Sequence, residues 1–183
     1  KQFKINPTKL DLQQIIHELA ESFEQQWAEK GLALAVEYHQ ISSPDTPSKS
    51  PLMLYTDPET LKRILSELLM NAGKFSAPDT TVYLNVTQQI SQPKNQVALT
   101  LTNTGPLGIS PEEQLSIFDK FRRGAGVSGG SGGGTGMGLA LVKSLVEYLD
   151  GTIAVSSEPL DDSSGAVTSF ILTLPQIQPP QLS

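Results

Sequence analysis

Two neighbouring segments that alternate between apolar and polar side chains constrain the fold more strongly than any other feature. Residues 80–90 and 95–103 both show the period of two that a half-buried strand requires. The connection around residues 91–95 is far shorter than the crossover of about a dozen residues that parallel strands need. We therefore predict an antiparallel pair, which disfavours a doubly wound parallel sheet.

The rest of the chain supplies helices and further strands. Apolar residues at intervals of three and four predict helices over 11–30, 57–73, 110–121 and 137–150. Alternating or short apolar runs predict strands over 32–39, 52–56, 152–158 and 166–175. This order predicts an α+β fold: a two-layer sandwich with a mixed, mostly antiparallel sheet of about five strands, covered on one face by about three helices.

Capping and turn-forming residues mark the ends of these helices and strands. Asp57 and Pro58 together predict a capped helix start, and Gly151 is predicted to end the last helix in a left-handed conformation. The Pro- and Ser-rich stretch 40–51 is predicted to be a loop, and residues 176–183 a disordered tail. One domain is expected over residues 1–175.

Composition excludes several classes of function. The formal net charge of −6 disfavours binding to nucleic acid or to an anionic membrane, although a local pocket could still attract an anionic ligand. The absence of cysteine excludes disulfides and thiolate chemistry, and two histidines are too few for a multi-histidine metal site. No apolar run approaches the roughly 20 residues that span a bilayer, and no signal peptide is visible.

Three polar residues lie on one side of the helix predicted over 57–73, the last of them just after its end. Glu67, Asn71 and Lys74 are spaced by three or four residues, away from the apolar face. Such a stripe is typical of a solvated helix surface. It also fits a base, a neutral ligand for metal or phosphate, and a cation, stacked along one site. The spacing by itself leaves both interpretations open.

Two glycine-containing segments could approach a ligand closely. Asn103 is expected at a strand end, followed by a turn with Gly105 and Gly108, which equally fits an ordinary turn. Further on, Gly134, Gly136 and Gly138 lead directly into a helix, where backbone amides attract phosphate. No Gly-Lys-Ser/Thr follows, so this is not a Walker loop, and no strand directly precedes it as a dinucleotide fingerprint requires. Residues 129–133 are predicted to be a mobile lid.

These constellations, in this order, resemble the catalytic and ATP-binding domain of two-component sensor histidine kinases, which has the Bergerat ATPase fold. "SELLMNAGKFS" resembles its N box, "NTGPLGI" its first glycine box, "IFDKFRRG" its F box and "GGTGMGLALVKSLVEYLDGTI" its second glycine box. The resemblance covers about residues 3–175, and it makes 122–136 the ATP lid.

The resemblance implies roles for individual residues. Asn71 would ligate Mg²⁺, while Glu67, Asn71, Arg122 and Arg123 would take part in catalysis. Asn103 would accept a hydrogen bond from the adenine amino group, and Phe118 and Phe121 would anchor the lid. The full set of residues implied in nucleotide binding is Asn71, Lys74, Phe75, Asn103, Gly105, Gly108, Ile109, Phe118, Phe121, Thr135, Gly136, Met137, Gly138 and Leu139.

Two departures from the family pattern concern the base-binding turn. Asn103 replaces the usual Asp, which makes the acceptor uncharged and predicts weaker adenine binding or altered base selectivity. One extra residue separates Gly105 from Gly108. His17 in "HELAES" imitates the start of a phosphoacceptor motif, but it is interpreted as an ordinary position on the first helix. The true phosphoacceptor histidine is expected on a dimerisation helix upstream of Lys1.

The implied function is phosphoryl transfer from Mg-ATP to a histidine on a separate dimerisation domain. The implied partners are ATP or ADP, the dimerisation and phosphoacceptor domain of the same kinase, and the receiver domain of a response regulator, in the cytoplasm. Three alternatives remain: a nucleotide-sensing or docking module without kinase activity, an ATP-hydrolysing clamp-type domain, and a structural domain with a Gly-rich linker. Glu67 favours the clamp, since such enzymes use Glu there as a base.

Overall fold

A five-stranded mixed sheet forms one layer of the molecule. The computed structural model describes residues 6–40, 51–89, 95–119, 138–162 and 164–176. The strands are β2 (Ala33–Gln40), β4 (Thr81–Gln89), β5 (Gln96–Gly105), β6 (Thr152–Pro159) and β7 (Ala166–Pro175), in the spatial order β2-β4-β5-β7-β6. The pair β2–β4 is parallel and all other pairs are antiparallel. This confirms the antiparallel pair predicted from the sequence.

Helices form the second layer. They are α1 (Leu12–Trp27), α2 (Pro58–Phe75), α3 (Pro111–Ser116) and α4 (Gly138–Tyr148), and a single 3-10 turn, Ala28–Lys30, follows α1. The helices α1, α2 and α4 contact β2, β5 and β6 respectively, so together they cover one face of the sheet. The predicted α+β sandwich is therefore confirmed. The third helix is shorter than predicted: it ends at Ser116, although its C-cap residue Ile117 keeps right-handed helical dihedral angles.

A separate two-stranded sheet lies at the start of α1 and α2. Residues Thr8–Asp11 form β1, which pairs antiparallel with β3 (Met53–Thr56). The segment 52–56 was predicted as a strand, but β1 was missed because its sequence, TKLD, contains one apolar residue and shows no strand pattern. Each strand leads directly into a helix, and Asp11 and Asp57 cap α1 and α2 through their side chains.

One apolar core joins the two layers and reaches the small sheet. Along β5, Val97, Leu99 and Leu101 point towards the helices, and from α2 Leu61 and Ile64 are fully buried against them. Leu10 of β1 and Leu54 of β3 belong to the same cluster. The alternation along β5 thus places one side of each strand in the core, and the helical face of α2 covers it.

The left-handed residue at the end of α4 is not the glycine that was predicted. Asp150 has φ 57°, whereas Gly151 is not among the residues with positive φ. A Cβ on Gly151 would lie 2.7 Å from the carbonyl oxygen of Thr173 and 3.2 Å from the Val146 side chain. The glycine is therefore required for close approach to β7, and the prediction about its backbone conformation was wrong.

Several predicted segments lie outside the described residues. These are the lid over 122–136, most of the loop over 40–51 and all but Gln176 of the tail over 176–183. Within the part of the chain that the structure describes, no helix combines the length and apolar character that crossing a membrane requires.

Candidate functional site

The polar stripe of α2 lies along the border between α2 and α4. The opposite side of α2 is buried through Leu61, Ile64, Leu65, Leu68, Leu69 and Ala72, which leaves Glu67, Asn71 and Lys74 outside the core. Among the described residues no hydrogen bond involves the side-chain amide of Asn71. Lys74 lies with its ammonium 5.3 Å from the centre of the Phe75 ring. The structure thus brings these three predicted residues together on one helix surface.

Glu67 connects α2 to the glycine segment that begins α4. Its carboxylate forms an ion pair with the guanidinium of Arg63, one turn earlier, with a nitrogen–oxygen distance of 2.8 Å. The Glu67 side chain is only 14% exposed. A Cβ on Gly138, the first residue of α4, would lie 3.2 Å from the second carboxylate oxygen of Glu67. The backbone at the start of α4 therefore lies directly against the α2 stripe, because Gly138 carries no side chain.

The last turn of α2 is held from its other side by the chain that follows α1. The ammonium of Lys30 donates hydrogen bonds to the carbonyl oxygens of Gly73 at 2.9 Å and Lys74 at 3.2 Å. The indole of Trp27 packs so closely on Gly73 that a Cβ there would overlap its nitrogen. A lysine at a helix C-terminus satisfies carbonyls that have no partner within the helix. The turn that carries Asn71 and Lys74 is thus fixed in place.

A small cavity lies beside this turn. Its volume is about 250 Å³. It is lined by the α1–β2 and α2–β4 connections, the end of α2 and the loop after β5. The lining residues include Lys30, Lys74, Phe75, Pro106 and Leu107. Two ammonium groups and one aromatic ring therefore border the space next to the predicted site.

Asn103 lies at the end of the core, and its surroundings differ from those predicted. The strand β5 continues to Gly105, so Asn103 is not its last residue but faces the helix layer and is 6% exposed. Thr168 of β7 lies directly opposite, and its hydroxyl is 2.8 Å from that of Ser157. No hydrogen bond within the described residues reaches the Asn103 amide. Since buried polar groups almost always have a hydrogen-bond partner, the Asn103 amide needs one from outside the described residues.

The turn after β5 is held by close backbone contacts. A Cβ on Gly105 would overlap the carbonyl oxygen of Phe75, and one on Gly108 would lie 2.9 Å from the Cβ of Ala166. The amide of Ile109 donates to the Ser157 hydroxyl at 3.0 Å, and the Gln114 side chain donates to the Ile109 carbonyl at 2.8 Å. Both glycines are therefore needed where the turn meets α2 and β7.

The remaining predicted residues divide into two groups. Phe118 packs edge-on against Phe170 with ring centres 6.2 Å apart, and Ile109 and Leu139 pack at the margin of the core. These contacts anchor the chain on either side of the segment between α3 and α4. The predicted residues Phe121, Arg122, Arg123, Thr135, Gly136 and Met137 lie outside the described residues.

The structure adds several residues to the site that were not predicted from the sequence. Thr168 had a readable signal, because it is a polar residue at a buried position of an otherwise apolar strand face that includes Ala166 and Phe170. Arg63 also had one, because it lies four residues before Glu67 on the same predicted helix. Ser157 and Lys30 had none, since each acts through a contact with a residue distant in sequence.

The described part of the site forms no cage of acidic or histidine side chains for a metal. Among the described residues no group of three or more His, Cys, Asp or Glu side chains could hold an ion. A divalent cation at Asn71 would therefore need ligands from a bound phosphate, which is how Mg²⁺ usually binds in nucleotide sites. The uncharged amide of Asn71 and the nearby cation of Lys74 fit such a metal–phosphate complex.

Comparisons with known proteins agree with this arrangement. A sequence model of the family described as "Histidine kinase-, DNA gyrase B-, and HSP90-like ATPase" matches residues 56–178. The adaptive-response sensory kinase SasA of Synechococcus elongatus is 30% identical over 173 residues, which cover 94% of this chain and 39% of SasA. The chain thus spans less than half the length of this relative.

Solved structures show the same fold. The mycobacterial sensor histidine kinase MprB is 27% identical with a TM-score of 0.67, and the match covers 92% of this chain and 97% of MprB. Full-length ShkA, solved in complex with AMPPNP, is 22% identical with a TM-score of 0.70, and the match covers 100% of this chain and 34% of ShkA. The second likeness concerns the fold alone.

Proposed function

The chain belongs to the family of histidine kinase-, DNA gyrase B- and HSP90-like ATPases, and on this premise we propose that it is the catalytic domain of a sensor histidine kinase. It would bind Mg-ATP and donate the γ-phosphate to a histidine on a separate domain. Family membership confirms the resemblance that the four boxes of the sequence indicated. The relative SasA and the solved MprB are both named as sensory or sensor kinases, which supports the kinase over the other branches of the family.

One observation carries the nucleotide-binding part of this proposal. Asn103 is a buried amide without a hydrogen-bond partner among the described residues, at the end of the core nearest the last turn of α2. Gly105, two residues later, touches the Phe75 carbonyl of that turn. A nucleobase held at Asn103 would therefore extend its phosphates along the side of α2 that carries Lys74 and Asn71. The AMPPNP bound to ShkA, which shares the fold, supports the same ligand class.

The residues around the α2 stripe would position the triphosphate. Asn71 would hold Mg²⁺, which neutralises charge on the phosphate oxygens. Lys74 would contact the phosphates directly, and the backbone amides at the start of α4 would attract them. Glu67 would act through the metal or as a base. Since phosphoryl transfer depends mainly on positioning and charge neutralisation, these residues supply what the domain needs.

The attacking group would come from outside this chain. An imidazole nitrogen of the phosphoacceptor histidine would form the new bond to the γ-phosphorus, and the bond to the bridging oxygen would break, which releases ADP. We propose a dimerisation and phosphoacceptor domain of the same parent and the receiver domain of a response regulator as partners, with the domain acting in the cytoplasm. The described residues contain His17 and His39, and neither lies in the site.

The alternative functions are less well supported. Neither a docking module without kinase activity nor a clamp-type ATPase is favoured by the named relatives, which are sensory kinases. For the clamp, the specific support is the identity of Glu67 as a possible base.

Calorimetric titration with ATP and with ADP, with and without Mg²⁺, tests the proposal. We expect metal-dependent binding that Asn71→Ala reduces at least tenfold, because it removes the metal ligand. Asn85→Ala is the matched control, since Asn85 lies on β4 with its side chain on the face that the helices do not cover. Absence of binding at millimolar ATP, or equal loss in both variants, would contradict the nucleotide site.

A further inference from the structure

We infer that the site accepts purine nucleoside triphosphates with either an amino or an oxo group at position 6 of the base. The inference deepens the proposed function and rests on it, since it assumes that a nucleobase binds at Asn103. It follows from three properties of the base-facing end of the core: the amide is uncharged, its orientation is not fixed, and the neighbouring polar group is a hydroxyl.

The described residues around Asn103 do not determine the orientation of its side-chain amide. The side chain is 6% exposed, and no described residue donates to its oxygen or accepts from its nitrogen. A side-chain amide turned by half a rotation exchanges a donor for an acceptor at nearly the same position. Here the rotation breaks no hydrogen bond with the described residues. Both orientations are therefore available when a base arrives.

The neighbouring hydroxyls have the same freedom. Thr168 lies opposite Asn103 across the β5–β7 pair and shares a 2.8 Å hydrogen bond with Ser157, in which either oxygen can be the donor. The Ser157 oxygen also accepts from the Ile109 amide, so this group can still donate its own proton. Reversing the Thr168–Ser157 bond presents Thr168 to a ligand as an acceptor instead of a donor.

No buried ion near Asn103 favours one base over another. The buried polar or charged side chains of the described residues are Asp57, Ser76, Asn103 and Thr168. Asp57 alone is an ion, and it caps the start of α2, whereas the Gly105 turn touches the end of that helix. An 18-residue helix is about 27 Å long, so the Asp57 carboxylate is remote from the base site.

The two kinds of purine present opposite hydrogen-bonding patterns. A 6-aminopurine offers an amino donor and the N1 acceptor, and a 6-oxopurine offers an oxygen acceptor and the N1–H donor. One orientation of Asn103 pairs with the first pattern and the flipped orientation with the second. A carboxylate that contacts only position 6 would accept from the amino group but would face the oxo group acceptor to acceptor, which leaves both of these oxygens unpaired.

The test compares ATP with inosine triphosphate, which differs from ATP at position 6 and in the proton on N1. With Mg²⁺ present, we expect the two dissociation constants of the unaltered protein to agree within about tenfold. In Asn103→Asp we expect a preference for ATP of about a hundredfold or more, because the buried carboxylate rejects the oxo group. The titrations are made at about pH 8, since burial raises the pKa of a carboxyl group and a protonated Asp would again be both donor and acceptor.

Asn85→Asp is the matched control, because it adds the same charge on the uncovered face of the neighbouring strand. It should bind the two nucleotides as the unaltered protein does. A hundredfold preference for ATP in the unaltered protein would overturn the inference, and this result needs no variant to fold. An unchanged preference in a folded Asn103→Asp would also overturn it. If the unaltered protein binds neither nucleotide, the proposed function fails as well, whereas strong binding of ATP alone removes only the inference.

Discussion

At the scale of single residues, two glycines have different neighbours, and substituting them should affect nucleotide binding in one case and stability in the other. A Cβ on Gly138 would meet the end of the Glu67 side chain at 3.2 Å, whereas one on Gly151 would meet the backbone oxygen of Thr173 at 2.7 Å. A side chain can shift by a few tenths of an ångström, and a backbone atom of a central strand cannot do so without disturbing its ladder. The two positions should therefore respond differently to the same substitution.

Gly138→Ala should weaken nucleotide binding without destabilising the fold. Gly138 is the first residue of α4 and the Glu67 side chain can shift to make room, so the free energy of unfolding should change little. The displaced Glu67 carboxylate and the added methyl group should lower ATP affinity about fivefold to tenfold, measured by calorimetry.

Gly151→Ala should instead destabilise the fold and leave nucleotide binding nearly intact. The clash with Thr173 should lower the free energy of unfolding by about 1–3 kcal/mol, measured by chemical denaturation, with ATP affinity nearly unchanged. Unchanged binding in Gly138→Ala would show that the start of α4 does not border the nucleotide. Loss of ATP binding in folded Gly151→Ala would show that this glycine is not required for stability alone.

At the scale of secondary-structure elements, α1 and α2 are tied together at both ends. At their start, β1 pairs with β3, and the Asp57 carboxylate accepts from the backbone amides of Thr60 at 2.8 Å and Asn6 at 2.7 Å. At their end, Lys30 donates to the carbonyls of Gly73 and Lys74. The helix that carries the proposed site is thus positioned by the segment that precedes α1 and by the segment that follows it.

The Asp57 cap should make stability depend on pH. Burial by itself raises the pKa of Asp57, but hydrogen bonds from the Thr60 amide, the Asn6 amide, the Thr60 side chain and the Glu59 amide outweigh it and lower the pKa. A lowered folded-state pKa stabilises the protein above the unfolded value of about 3.9, and this contribution disappears as the pH falls through the folded-state pKa.

Asp57→Asn should therefore cost about 1–2 kcal/mol at pH 7, since the bonds lose their ionic acceptor. The difference from the unaltered protein should shrink as the pH falls below about 4, measured by urea denaturation at several pH values. The exposed Asp119 offers a control, because Asp119→Asn should change stability little. A constant difference across this pH range would contradict the ionic cap.

Lys30 should influence the site through the last turn of α2. Lys30→Met removes both hydrogen bonds to the helix carbonyls, and we expect ATP affinity to fall about threefold to tenfold because Asn71 and Lys74 lose their fixed position. Lys30→Arg should restore most of the affinity, since a guanidinium can donate to the same oxygens. An effect on stability alone would contradict this positioning role.

Lys62→Met is the matched control for the Lys30 variants. Lys62 makes a surface ion pair with Glu18 at 3.3 Å, between side chains that are 38% and 48% exposed. Exposed pairs of this kind contribute little, so the substitution should leave ATP affinity and the free energy of unfolding nearly unchanged.

At the scale of the whole molecule, one core predicts one unfolding transition. The apolar cluster contains residues of both sheets and of α1, α2 and α4, from Leu10 near the start of the chain to Leu174 near the end of β7. Trp27, the only tryptophan of the sequence, belongs to this cluster and packs on α2 through Gly73. A local probe in α1 therefore senses the integrity of the whole domain.

Denaturation followed by Trp27 fluorescence and by far-ultraviolet circular dichroism should give coincident curves. Saturating Mg-ATP should shift both curves together, by about 2.7 kcal/mol at a hundred times the dissociation constant. Separate midpoints for the two signals would show that α1 and the small β1–β3 sheet unfold independently of the main sheet.

Features of the fold and the site could be predicted from the sequence when the residues that produce them lie close together in the chain. Three features lie in short stretches of chain: the period of two along β4 and β5, the helical period of α2, and the four boxes in their order. These features sufficed to predict the fold class and the family. The polar stripe Glu67, Asn71 and Lys74 was readable for the same reason. The strand β1 was not, because four residues without a strong pattern become a strand only through pairing with β3.

The amino-acid sequence by itself determined which residues could serve a nucleotide and in which layer each would lie, because backbone periodicity assigns every side chain to a face. Only the tertiary structure decided what those side chains meet. It placed Gly138 against Glu67, Lys30 on the carbonyls that end α2, and Asn103 opposite Thr168 with no hydrogen-bond partner among the described residues. These contacts join residues tens of positions apart in sequence, and such distances are set by packing of the whole core, which no local pattern contains.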